Sequence, residues 1–173
     1  MFIRKKRIKG NFYAYLVRNV WRKRKKESRQ KVSKYLGKIY RFENIVSNMF
    51  IEFYKIDKLA DYIETRGRKG VIKDLIKLEL LNMGFKEEDK VLVNNGLQFN
   101  METLTFYQEG KMIKAVIEMN EGFLCKETIT DILNFKPSDE EREGFNLANA
   151  FVEAGLKVPE EVFVEYYKRF FGV

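Results

Sequence analysis

Apolar and polar residues alternate along the first forty or so positions and then recur near every third or fourth position, so the chain reads as strands first and helices after. Three runs, Phe2 to Lys9, Phe12 to Lys23 and Gln30 to Phe42, are rich in β-branched and aromatic residues. Gly10-Asn11 and Lys26-Glu27-Ser28 separate them as turns. The pattern predicts a three-stranded antiparallel meander. In the second run Phe12, Leu16 and Val20 fall on one face and Tyr13, Tyr15, Val17 and Trp21 on the other. In the third, Val32, Leu36 and Tyr40 oppose Tyr35 and Ile39. Both faces are partly apolar, which allows one to pack on a helix while the other stays open to a partner.

From about Asn44 to Thr65, Val46, Met49, Phe50, Phe53, Leu59, Ala60 and Ile63 recur near helical spacing, predicting a helix that covers this sheet. Arg66-Gly67-Arg68-Lys69-Gly70 interrupts the pattern, and a second helix, Val71 to Met83, stops at Gly84. The expected division therefore runs between residues 1–66, a basic sheet plus helix, and residues 67–173, a domain for interaction or dimerisation. Beyond it, Lys90 to Asn94, Leu97 to Asn100, Glu102 to Tyr107 and Lys111 to Met119 read as strands, with Asn95-Gly96 and Glu109-Gly110 as hairpin turns. Ser138, ahead of Asp139, Glu140 and Glu141, is placed to cap a helix that ends at Gly155, and Pro159 opens a last helix to about Phe171. The expected class is α+β: a basic three-stranded antiparallel sheet with a helix, then a mixed domain with an antiparallel sheet and a C-terminal helical pair.

Charge changes this picture most. The net charge of +8 is uneven: residues 1–43 hold 16 Lys/Arg against Glu27 and Glu43, a net of +14, and the remainder carries −6. Five cations are consecutive, Arg22-Lys23-Arg24-Lys25-Lys26, at the tip expected for the second hairpin. A lysine or arginine that neutralises a phosphate releases condensed counterion, which gives affinity without reading sequence. Aromatics between the cations can pack on sugar or base, and a β-ribbon fits the major groove. The expected nucleic-acid contacts are Arg4, Lys5, Lys6, Arg7, Lys9, Tyr13, Tyr15, Arg18, Trp21, Arg22, Lys23, Arg24, Lys25, Lys26, Arg29, Lys31 and Lys34. Duplex DNA is the favoured partner. RNA is the alternative, through bases stacked on the aromatic face. An anionic membrane surface is disfavoured because it wants an amphipathic helix, and the alternation here is that of strands.

The remaining composition narrows the chemistry. Cys125 is the only cysteine and there is no histidine, which excludes an intrachain disulfide, a Cys/His zinc site and an imidazole base. Reducing, cytoplasmic surroundings are expected, and no apolar run approaches the ~18 residues of a membrane span. Few Gln and Pro with abundant Lys and Glu lean toward a hyperthermophile.

Two resemblances follow from particular stretches. Phe2-Ile3-Arg4-Lys5-Lys6, Asn11-Phe12-Tyr13-Ala14-Tyr15-Leu16-Val17 and Arg29-Gln30-Lys31-Val32-Ser33-Lys34-Tyr35-Leu36-Gly37 resemble the N-terminal segment of insertion-sequence transposases. That likeness implies a DNA-contacting module of an archaeal mobile element such as a plasmid, virus or transposon. Arg68-Lys69-Gly70, the segment Asp74 to Glu79, Gly84-Phe85 and Ala115 to Asn120 are similar to the core of archaeal Holliday-junction resolvases and other restriction-endonuclease-like enzymes. This second likeness implies an enzymatic alternative, a Mg²⁺-dependent nuclease with Glu118 and Glu102 as metal carboxylates and Asp74 or Glu79 as the helix carboxylate. Asn120 stands where that family has a lysine. Outside this alternative no cofactor is expected. Asp57, Asp61 and Glu64 read as a solvated helix face, and the aromatics from Phe163 to Phe171 read as core.

Overall fold

The computed structural model describes residues 1–23, 26–136 and 143–172. The expected contacts Arg24 and Lys25, and the expected cap Ser138 with the acids after it, lie outside the described residues. The class is α+β, with two five-stranded sheets.

The basic meander forms as β1 (Phe2–Ile8), β2 (Asn11–Arg22) and β3 (Glu27–Arg41). The first turn is Lys9-Gly10, one residue earlier than the sequence pattern places it, and both residues have positive φ, as a two-residue hairpin of matching twist requires. Beyond β3 the chain passes through α1 (Phe50–Phe53) and α2 (Leu59–Asn82) before entering the second sheet. The long helix expected from Asn44 is absent because another device takes its backbone donors. Ile45 and Val46 N–H groups donate to the Asn82 carbonyl, and the Asn48 amide donates to the Asn82 side chain at 3.0 Å.

Within α2, Gly67 leaves helical geometry at φ 65°, ψ 169°, and the expected division at 66/67 falls on this kink. Side chains hold the helix across it. Arg66 chelates the carboxylate of Asp74, Tyr62 donates its hydroxyl to the same group at 2.6 Å, and Arg68 donates to the Ile132 and Phe135 carbonyls.

Sheet B is an antiparallel meander of β4 (Lys86–Glu88), β5 (Val91–Asn94), β6 (Leu97–Asn100), β7 (Thr105–Gln108) and β8 (Lys111–Ile113). β7 starts three residues later than the sequence pattern places it. The Asn100 side chain accepts the Glu102 and Thr103 N–H groups, and Leu104 turns through positive φ. The expected strand from Lys111 to Met119 divides at Lys114. β8 stays in sheet B, and β9 (Ala115–Met119) pairs parallel with β3, with β10 (Gly122–Leu124) beside it. Sheet A therefore runs β1-β2-β3-β9-β10 and draws strands from both sides of the expected division. α3 (Lys126–Leu133), α4 (Glu143–Glu153) and α5 (Glu160–Phe170) follow.

Alternation along β9 divides the apolar interior. Ala115, Ile117 and Met119 join the main core with α2, sheet B and the last two helices. Val116 faces the other way, into a small cluster with Ala14, Leu36, Ile39 and Cys125. Cys125 is buried in that cluster, as its small apolar character favours.

Candidate nucleic-acid interface

The strand registers assign each cation of sheet A to a face. Lys5 pairs with Ala14, Arg7 with Phe12 and Ile3 with Leu16, so these six share the face that carries Val116 and Glu118. Ala14 and Gly37 are small enough for a long side chain to cross above them. Lys5 donates to Glu118 Oε1 at 2.7 Å and Arg41 to Oε2 at 2.7 Å. The same cations, with Arg7, lie 5.0 to 5.8 Å from the centre of the Phe12 ring. Three cations thus gather over one aromatic ring, and two of them hold one carboxylate. At the edge of this face Lys34 bonds Glu127 at 2.6 Å, and that hydrogen bond raises its pKa.

Glu118 anchors this arrangement. Partial burial disfavours its charge, but the hydrogen bonds and fields of Arg41 and Lys5 outweigh that cost and hold its carboxyl below the ordinary value of 4.5. A folded-state pKa that is depressed stabilises the fold above the unfolded value, and the contribution is lost as pH falls through the folded one. Thermal unfolding between about pH 3 and 6 is therefore expected to show a steeper acid limb in the native chain than in Glu118→Gln. Identical acid limbs would remove the carboxylate from this role.

The opposite face carries Arg4 beside Tyr15 and Lys6 beside Tyr13. Tyr35 lies 5.4 Å from Tyr15 and 6.3 Å from Tyr13, ring centre to ring centre, and Lys38 sits over Tyr40 at 5.4 Å.

β1 ends against Val17, and beyond that point β2 and β3 continue alone as a two-stranded ribbon. Its paired positions are Arg18–Lys31, Asn19–Gln30, Val20–Arg29, Trp21–Ser28 and Arg22–Glu27, a reach of about 17 Å. Every described residue of the ribbon is exposed except Arg22, which is half-buried, and Trp21 is 61% exposed. Val17, at the root, is buried. The hydrophobic pattern places Trp21 and Val20 in strands, and among the described residues nothing covers either side chain, so both are exposed.

The expected contacts among the described residues therefore fall in four places. Arg18, Trp21, Arg22, Lys23, Lys26, Arg29 and Lys31 lie on the ribbon or its turn. Arg4, Lys6, Tyr13 and Tyr15 lie on the tyrosine face, and Lys5, Arg7 and Lys34 on the Glu118 face. Lys9 is exposed in the first turn. Sequence reasoning missed Arg41 and Phe12 as members of the cation cluster and Tyr35 as the ring that joins the other tyrosines. Two bulges in β3 hide them: the pairing slips between Ala14 and Tyr15 and again between Leu16 and Val17, which breaks simple alternation.

The four carboxylates of the nuclease alternative are not brought together. Asp74 is buried in α2 against Arg66 and Tyr62, and Glu79 is buried between the Lys157 amide and Asn120. Glu102 is exposed beside Lys90 at the margin of sheet B, while Glu118 belongs to sheet A. Asn120 donates to the Gly155 carbonyl at 2.6 Å, as a structural link between the last strands and the helices. Among the described residues no group of three or more acidic or cysteine side chains is placed to hold a metal ion, and no helix is long and apolar enough to cross a membrane. Comparison with protein-family models, curated proteins and solved structures gives no match.

Proposed function

We propose that this chain binds duplex DNA, gripping phosphates with the β2–β3 ribbon and the cations of β1. The ribbon itself carries the reading. Residues 18–31 contain eight Lys/Arg and one Glu, a net of +7, on two strands whose described residues leave the core. Such a segment is self-repelling and exposes Trp21 and Val20, costs that a polyanionic partner with a groove offsets. The resemblance of the basic segment to transposase N-termini supports a setting in an archaeal mobile element, in a regulatory or architectural role. RNA or single-stranded DNA is the second reading. It is favoured by Tyr13, Tyr15 and Tyr35 clustered beside Arg4 and Lys6, an arrangement that suits base stacking.

The test is affinity for duplex DNA, single-stranded DNA and RNA measured across a range of salt. With about six phosphates contacted, log K for duplex is expected to fall with a slope near −5 in log salt. A flat salt response would exclude phosphate-dominated binding. Tighter binding to single strands, lost on Tyr35→Ala, would transfer the proposal to the tyrosine face.

A further inference from the structure

The ribbon looks uniformly basic in sequence, yet its register separates charge by face. Arg18, Lys31, Val20, Arg29, Arg22 and Glu27 share one face, which holds every charged residue of the five paired positions. The other face has Asn19 opposite Gln30 and Trp21 opposite Ser28, with no charge among them. All four are exposed. Asn19 and Gln30 form a cross-strand pair of carboxamides, the second pair from the root of the ribbon. Arg4 donates to Gln30 Oε1 at 2.8 Å, fixing that side chain by one lone pair of its oxygen and leaving its amide hydrogens directed elsewhere.

Desolvating a carboxamide is worthwhile only against a partner offering both a donor and an acceptor. In the major groove, adenine offers that pair as N6–H and N7, and its thymine partner presents a methyl group. The groove is about 12 Å wide, with base edges on its floor and phosphates along its rims, so a ribbon lying in it turns one face to bases while cations on the other reach sideways to the rims. We infer that the ribbon reads A·T pairs in the major groove with its uncharged face, through Asn19 and Gln30 with Trp21 against the thymine methyl, and holds phosphates with Arg18, Arg29 and Lys31. This rests on the duplex-DNA reading and adds sequence preference to it.

The experiment is enrichment from a pool of DNA duplexes with a randomised central block. Salt titrations on the enriched and scrambled duplexes then follow for the native chain, Asn19→Ala/Gln30→Ala and Arg29→Ala/Lys31→Ala. All four positions are exposed, so the variants keep the core intact. The native chain is expected to enrich steps containing adenine. The carboxamide variant is expected to lose about tenfold or more of the enriched-to-scrambled ratio with its salt slope unchanged. The cation variant is expected to keep the ratio, bind both duplexes more weakly and lower the slope by about 2. Duplex binding without enrichment, or a preference that survives in the carboxamide variant, would overturn the inference while leaving the proposed function standing. Absence of duplex binding in the native chain would overturn both.

Discussion

Excising the ribbon is expected to cost about a thousandfold or more in duplex affinity at ~0.15 M salt while leaving the fold in place. The variant joins Val17 to Val32 through Asn-Gly, replacing residues 18–31. Asn-Gly suits a two-residue hairpin turn, and Val17 and Val32 are already cross-strand partners, so the shortened strands keep their register. What the fold loses is small. The Arg22–Glu27 ion pair is 3.6 Å long with both side chains reached by solvent, the Arg4–Gln30 hydrogen bond is exposed, and neither residue of the root pair is removed. Exposed pairs of this kind contribute about 1 kcal/mol or less, so the midpoint of thermal unfolding is expected to move by only a few degrees. What binding loses is large. Half of the +14 charge of residues 1–43 resides in the excised segment, and a site of about six phosphates weakens ten-thousandfold between ~0.15 and 1 M salt. The measurement is duplex affinity of both chains at several salt concentrations, with circular dichroism to confirm the fold. An excised chain that binds within threefold of the native one would move the interface to the sheet body, to the Lys5, Arg7 and Arg41 cluster or to the tyrosine face.

The sequence pattern located strands and turns where the signal is local. Lys9 and Gly10, Asn95 and Gly96, and Glu109 and Gly110 take positive φ near where the pattern expects turns. The pattern did not reveal which strands share a sheet. β9 is a short apolar run, and nothing in Ala115-Val116-Ile117 distinguishes a continuation of β8 in sheet B from a partner of β3; that choice is made by tertiary packing. The same limit applies to the site. Cations were legible as a class, but whether Lys5 and Arg41 are neighbours depends on β1 and β3 lying one strand apart, a fact of topology. Glu118 shows the consequence. Its position among apolar strand residues fits a metal ligand, whereas in the folded sheet it is the counter-ion of Lys5 and Arg41. The helix expected from Asn44 failed for a comparable reason, since Asn82, far along the chain, takes up the Ile45 and Val46 amides.

The joint between the basic meander and the rest of the chain makes Gly37→Val the substitution with the largest expected effect on stability. Sheet A is continuous only because β3 pairs with β9, from Lys38 opposite Ala115 to Arg41 opposite Glu118. Gly37 stands at the entrance to that pairing with φ +141°, in the region L side chains rarely adopt. A Cβ there would overlap the Lys114 carbonyl and stand 2.7 Å from the Ala115 nitrogen, both backbone groups at the point where the chain crosses from β8 to β9. The backbone can give way only by parting β3 from β9, and a branched residue adds χ1 crowding. Destabilisation of about 3 kcal/mol or more is expected, a fall of roughly 6–12 °C in unfolding midpoint for a chain of this length. Gly10→Val separates the two causes. Gly10 has φ +83° with nothing within 4 Å of the added carbon, so it carries the conformational strain without the overlap and is expected to cost less. Hydrogen exchange in Gly37→Val should accelerate first along residues 38–41 and 115–118, the two sides of the parted pairing. Equal midpoints for Gly37→Val and Gly10→Val would show that the close approach of Lys114 is not what holds the basic sheet to the core.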